Sequence, residues 1–306
     1  KVDAETLAQV LLPIKETFQG TTYPDLLIGL DSADDAAVWR LDDEHSLVAT
    51  LDYFTPVVDD PYDYGAIAAA NSLSDVYSMG GKPLFALNIS ALPATLPMDV
   101  TQAIVRGAAE KAREAGVVIA GGHSIKDEEP KFGLVALGIV QNDQILTKAG
   151  LRPDDRLFLS KPLGAGVITT ALKRSLTSPD ELEDAVTWMK LLNRDAAQLA
   201  VDFGLHAATD ITGFGFLGHA TEMAEASGVA LRIHYPSIPL MKAAEKFAYA
   251  YTFPGGASDN LLYFSPKVTV EGELSINLQT LLYDPQTSGG LLIAVPEAKA
   301  ARFQAE

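Results

Sequence analysis

"SLVATLDYFTPVVDDPYDYGAIAAANSLSDVYSMGGKPLFALNISAL", residues 46–92, sets a strand, a helix and a second strand in succession. Its first nine residues are mostly apolar and end on Tyr53-Phe54, with Asp52 interrupting the run. Residues 64–79 are a small-residue helix that Gly80-Gly81 stops, and "PLFALNISAL" reads as a strand again. That alternation argues for layers of helix on sheet.

The same style extends outward in both directions. Residues 3–18 carry Leu7, Val10, Leu11 and Ile14 at helical spacing, with Asp3 as a candidate N-cap. Residues 25–30 and 36–41 read as strands. Toward the C-terminus, residues 100–116 form a helix closed by Gly116, "VVIAGGHS" is a strand running into a glycine turn, and 131–140 is a strand. Polar residues with Gly150 and Pro153 mark a break at "TKAGLRPDD" (147–155). Beyond it come a strand at 156–161, helices at 165–174 and 180–202, and a helix through "LGHATEMAEA". A strand at 229–235, a helix near 240–250 and a buried strand at 289–295 follow. The expected fold is mixed α/β (α+β) with two domains, residues 1–150 and 151–306.

Composition narrows the function classes. Hydrophobic residues make up 48% of the 306 and charged residues 21%, a globular balance. A formal net charge of −17 argues against a nucleic-acid or anionic-membrane surface, which needs clustered Lys and Arg. With no cysteine, disulfides and thiolate metal sites are excluded within this stretch. No apolar run reaches the roughly 18 residues of a membrane span, and no basic-then-apolar signal segment opens the chain. A cytoplasmic protein is expected. An acidic protein that handles phosphates does so with metal ions, backbone amides and helix N-termini.

Four acidic stations stand out. "DSADDAAVW" (31–39) crowds Asp31, Asp34 and Asp35 before a strand; like charges 4 Å apart repel by roughly 4 kcal/mol at an effective dielectric of about 20. Asp52 sits at an apolar strand end, where an unpaired carboxylate is costly to bury. Asp75 shares a helix face with Asn71, beside Ala68, Ala69 and Ala70. Asp210 precedes Thr212-Gly213-Phe214-Gly215 and a helix. Each has a plain reading: a solvated turn, a strand exit, a polar helix face, a helix N-cap. Taken together they suggest carboxylates bridged by a divalent cation to a polyphosphate, since Mg²⁺ takes oxygen ligands and keeps waters and phosphate oxygens in its shell. Two glycine turns, "AGGHS" (120–124) and "PQTSGG" (285–290), could bring amides against phosphate, although Gly-Gly pairs mostly make turns. His123 and His219, with no paired carboxylate evident, take structural readings.

"DDAAV", "NSLSDVYSMGGKP", "AGGHSI" with "FGLVALG", "TDITGFGFLGH" and "DPQTSGGLL", in that order along almost the whole chain, resemble selenophosphate synthetase (selenide, water dikinase). The Asp-Asp, "SD…MGGKP" and "TSGGL" elements are shared with the wider aminoimidazole ribonucleotide synthetase superfamily. The resemblance implies that superfamily's two-domain fold, with the N-terminal half building a β-barrel between subunits of a homodimer. It implies conversion of ATP, selenide and water to selenophosphate, orthophosphate and AMP, dependent on Mg²⁺, with a selenium-delivery protein as a possible partner. Carried over by position, Asp35, Asp75 and Asp210 hold metal, and Asp52 contacts nucleotide or metal. Gly121, Gly122, His123 and Ser124 line the phosphate path, and Ser32, Ala33 and Asp34 match another nucleotide-contacting segment. Lys1 corresponds to the family's essential lysine, catalytic and nucleotide-contacting, so the reactive Cys or selenocysteine is expected three positions upstream.

Two other readings stay in view. Aminoimidazole ribonucleotide synthetase and thiamine-phosphate kinase belong to the same superfamily and would form ADP. A non-catalytic acidic domain binding Ca²⁺ is the reading from another class; the acidic positions sit at strand and helix ends rather than in one ligand-dense loop.

Overall fold

The computed structural model describes residues 3–32 and 34–306. The chain opens with α1 (Ala4–Phe18), capped by the Asp3 carboxylate, which accepts a hydrogen bond from the Thr6 N–H. Next come β1 (Leu26–Ile28), β2 (Ala37–Arg40), β3 (His45–Phe54), α2 (Pro61–Ser78), β4 (Lys82–Leu92), α3 (Met98–Glu114), β5 (Val118–Lys126) and β6 (Lys131–Gln141). Their six strands form one sheet in the order β1-β2-β3-β6-β4-β5, in which β4 and β5 are the parallel pair. β3 pairs with β6 along its whole length, from His45 opposite Gln141 to Phe54 opposite Phe132.

α2 covers one face of this sheet and is buried along nearly its whole length. Asp60 caps it and Pro61 opens it. Its small residues are what permit the burial. A Cβ on Gly65 would stand 1.9 Å from the Ile104 carbonyl oxygen, and one on Gly107 would stand 2.0 Å from that of Tyr62, so α2 and α3 touch backbone to backbone. Ile67, Leu73 and Val76 fill the space beneath, each fully buried and contributing about 1.5–3 kcal/mol. The opposite sheet face is apolar and open: Leu51 is 50% and Tyr53 51% exposed, with Leu47, Val135, Leu137 and Ile139 half-buried beside them.

The second half comprises β7 (Arg156–Leu159), α4 (Ala165–Lys173), α5 (Pro179–Lys190), α6 (Arg194–Asp202), β8 (Ala208–Asp210), α7 (Gly215–Ser227), α8 (Ala244–Tyr249), α9 (Gly255–Phe264), α10 (Ile276–Leu281), β9 (Leu291–Val295) and α11 (Glu297–Ala305). Here the sheet is small, β7-β9-β8, and β9 at its centre is wholly buried. The larger apolar cluster runs without interruption from Val48 and Leu73 in the first half to Leu291 and Val295 in the second. A smaller one, around Phe216, Met223 and Phe264, lies beneath α7. Among the described residues, no helix is long and apolar enough to cross a membrane.

Four sequence expectations change. The helix expected over 180–202 is two helices, because Leu191 is extended and Asn193 turns inward to bond across to the first half. Residues 229–235 form no strand; Val229, Leu231 and Ile233 pack onto the smaller cluster without a sheet partner. "AGGHS" does not turn, since β5 continues through it against β4, with the register shifting at Ala120. Asp210 does not cap the next helix, whose N-cap is Phe214.

Candidate active site

Asp75 and Ser74 bring the face of α2 that meets the second half into a seam of carboxylates. Asp75 is buried, and its Oδ2 accepts the Thr50 hydroxyl from β3. Burial, followed by the charges of Asp210, Asp52 and Asp35, pushes its carboxyl well above the ordinary carboxylate range. Asp210, 1% exposed at the end of β8, accepts the Ser74 hydroxyl at 2.6 Å. Its own N–H lies 3.3 Å from Asp35 Oδ2. Asp52 accepts the Asn71 amide at 2.7 Å. Four aspartates from β3, α2, β8 and the β1–β2 loop are therefore electrostatic neighbours.

Asn71 and Asn193 join the seam to the "PQTSGG" loop. The Asn71 amide that donates to Asp52 also accepts the Ser288 N–H at 2.8 Å through its oxygen. Asn193 donates to Ser74 Oγ and to the Gly289 carbonyl, both at 2.8 Å. Lys161, 2% exposed, donates to the carbonyls of Leu191 and Ser288, and burial lowers its ammonium to about 7. Gln286 accepts the N–H groups of Gly164 and Ala165 at the start of α4, while Asp284 accepts that of Val167. Burial pushes Asp284 up to about 7.

The β1–β2 loop is pinned from the connection between the halves. Lys148 donates its backbone N–H to Asp34 Oδ1 at 2.7 Å, and its ammonium lies 3.0 Å from Asp35 Oδ1 and 2.9 Å from Glu222 Oε2. Burial raises the Asp34 carboxyl despite the Lys148 N–H. For Lys148, burial works against the charged form, yet Asp35 and Glu222 outweigh it and hold the ammonium above its ordinary range. Burial likewise opposes the Glu222 carboxylate, but His219 and Lys148 draw it down to about 2. His219 Nδ1 faces Glu222 at 3.3 Å, and its Nε2 accepts the Phe214 N–H at 3.4 Å, an arrangement that places the proton on Nδ1.

Asp34, Asp35, Asp52, Asp75 and Asp210 thus meet at one seam. Ser32 is exposed, its hydroxyl bonded to the Gly29 carbonyl. Gly121, Gly122, His123 and Ser124 lie elsewhere, exposed on the edge strand β5. Asp52, Leu134, Asn88 and Gly122 form one row across the sheet, which puts Gly122 about 14 Å from Asp52 at roughly 4.8 Å per strand. Lys1 and Ala33 fall outside the described residues. Lys148, Glu222, Asn193 and Lys161 were not foreseen. Only Glu222 carried a signal, standing three residues after His219 on one helix face.

The seam's chemistry suits a hard divalent cation. An anionic cluster that raises the pKa of its own central member is one that a cation relieves. Among the described residues no three or more His, Asp or Glu side chains stand together as a ready-made metal-ligand group; Mg²⁺ characteristically keeps waters and phosphate oxygens among its ligands.

Comparison with known proteins adds the lineage. Residues 33–140 match the N-terminal domain of AIR synthase related proteins, and residues 152–306 match the C-terminal domain. A selenide, water dikinase of Carboxydothermus hydrogenoformans is 48% identical over 98% of this chain and 86% of its own length. One of Caldanaerobacter subterraneus is 49% identical over the same shares. Among solved structures, a thiamine monophosphate kinase from Aquifex aeolicus superposes with a TM-score of 0.66 at 18% identity, covering 97% of this chain and 90% of that one. At that identity the likeness concerns the fold.

Proposed function

The chain belongs to the selenide, water dikinase family, and from that membership we propose that it converts ATP, selenide and water to selenophosphate, orthophosphate and AMP. The observation that carries the reading in this chain is the convergence of Asp75 with Asp210, Asp52 and Asp35 between the two halves. Hydrogen selenide and the γ-phosphate it attacks are both anionic, so the site must offset charge before they approach.

Asp35, Asp75 and Asp210 would hold Mg²⁺, which when bound supplies the positive charge that neutralises the phosphates. The chain's own groups set up that site. Thr50 holds one oxygen of Asp75, and Ser74 holds one oxygen of Asp210, so both carboxylates are oriented by hydroxyls of the first half. Asn71 bonds both the Asp52 carboxylate and the Ser288 N–H, so a nucleotide contact by Asp52 would be coupled to the "PQTSGG" loop. Ser32, Ala33 and Asp34, together with Gly121, Gly122, His123 and Ser124, are assigned to nucleotide contact by resemblance, and Lys1 to charge neutralisation at the transferring group. A homodimer joined through the apolar open face of the six-stranded sheet, and a cytoplasmic location, belong to the same reading. So does a selenium-delivery partner.

Product analysis tests it. With ATP, Mg²⁺ and selenide, the full-length protein should release AMP and orthophosphate, and ³¹P NMR should detect a selenium-bonded phosphate. ADP as the final nucleotide, with no selenium–phosphorus signal, would overturn the reading in favour of another reaction of the superfamily. Asp210→Asn should lower AMP formation by about 100-fold or more, the scale on which pre-organised electrostatic groups act.

A further inference from the structure

Lys148 stands in the connection between the halves and touches both. Its N–H holds Asp34, its carbonyl accepts the Ser227 hydroxyl at 3.3 Å, and its ammonium bridges Asp35 and Glu222. All three charged side chains are largely withdrawn from water, at 7%, 5% and 16% exposure. The bridge continues through His219 to the Phe214 N–H and faces the Thr212 hydroxyl, in the loop that follows Asp210.

The two oxygens of Asp35 are held unequally. Oδ1 takes both the Lys148 ammonium and the Thr209 hydroxyl, each at 3.0 Å, whereas Oδ2 takes a long 3.3 Å contact from the Asp210 N–H. The firmly held oxygen is therefore spoken for, and the other is presented beside Asp210. From this geometry we infer that Lys148 is a positioning residue, which anchors Asp35 through Oδ1 so that Oδ2 faces a divalent cation shared with Asp210. The inference rests on the functional reading above, and Lys148 acts in it through Asp35. A buried ion pair that served stability alone would be replaceable by neutral groups of similar size without functional loss, and that contrast gives the test.

Lys148→Met alone strands two buried carboxylates and is expected to fold poorly. The double variant Lys148→Met with Glu222→Gln removes one charge of each sign and leaves an amide that still accepts from His219. In the full-length protein its melting should stay cooperative, while Mn²⁺ affinity in the presence of a non-hydrolysable ATP analogue, measured by calorimetry or electron paramagnetic resonance, falls at least tenfold. An unchanged Mn²⁺ affinity in that folded variant overturns the inference alone. Should the double variant not fold, Glu222→Gln decides: a two- to threefold loss of Mn²⁺ affinity supports the anchor, and no loss overturns it. A wild-type protein that binds neither Mn²⁺ nor the analogue overturns the functional reading itself.

Discussion

Gly121-Gly122 and Gly289-Gly290 are the same dipeptide in opposite settings. A Cβ on Gly122, whose φ is +151°, would stand 2.1 Å from the Asn88 carbonyl oxygen, and one on Gly289 would stand 2.0 Å from that of Ile211. Both pairs thus serve close backbone approach. What lies opposite differs. The first pair meets a neighbouring strand and is otherwise exposed on a sheet edge. The second is buried against the residue that follows Asp210, and its flank is held by Asn71, Asn193 and Lys161. A glycine pair therefore reports contact without reporting what is contacted.

Substitutions at these pairs can break the comparison. The largest effect is expected from Gly289→Ala, which must displace the Ile211 backbone; a loss of about 3 kcal/mol or more in urea denaturation, with collapse of ATP turnover, is the expected outcome. Asn71→Ala comes next. It leaves the buried Ser288 N–H unpaired, so about 1–3 kcal/mol should be lost, with a raised KM for ATP if Asp52 contacts the nucleotide.

A pH series probes the clamp on the buried loop. Lys161 is lowered from 10.5 to about 7 by burial, so between those values the unfolded chain binds a proton that the folded chain does not. Stability should rise with pH across that window and fall as pH drops toward 7. Lys161→Met should flatten this slope; an unchanged slope would mean the ammonium stays charged in its carbonyl cage. The smallest effect is expected at the exposed pair. A Cβ on Gly121 meets only Leu87 Cδ2 at 3.8 Å, so Gly121→Ala should change stability by less than about 0.5 kcal/mol. A fall in AMP formation without a fall in melting temperature would sharpen the comparison by placing the edge strand in the chemistry.

Local signals in the chain were sufficient for most elements of the first half. Asp3 as a cap, the stop at Gly80-Gly81 and the closure of α3 at Gly116 each depend on neighbours within a few residues. The second half was less legible for the same reason. Residues 229–235 have strand composition, but no sheet edge is there to receive them. The break at Leu191–Asn193 follows from bonds to Ser74 and Gly289, each about a hundred positions away in the chain.

Asp52, Asp75 and Asp210 could be named from the sequence because each interrupts an apolar or small-residue setting, where charge is expensive and so conspicuous, and Asp35 because it stands among crowded carboxylates. Their mutual distances, the exposure of "AGGHS", and the ties of Lys148 and Asn193 came only with the tertiary structure. Periodicity and caps are short-range and written in adjacent residues, whereas a buried charge finds its partner wherever folding delivers one. A lysine in a polar linker looks the same in either outcome until Asp35 and Glu222 close on it.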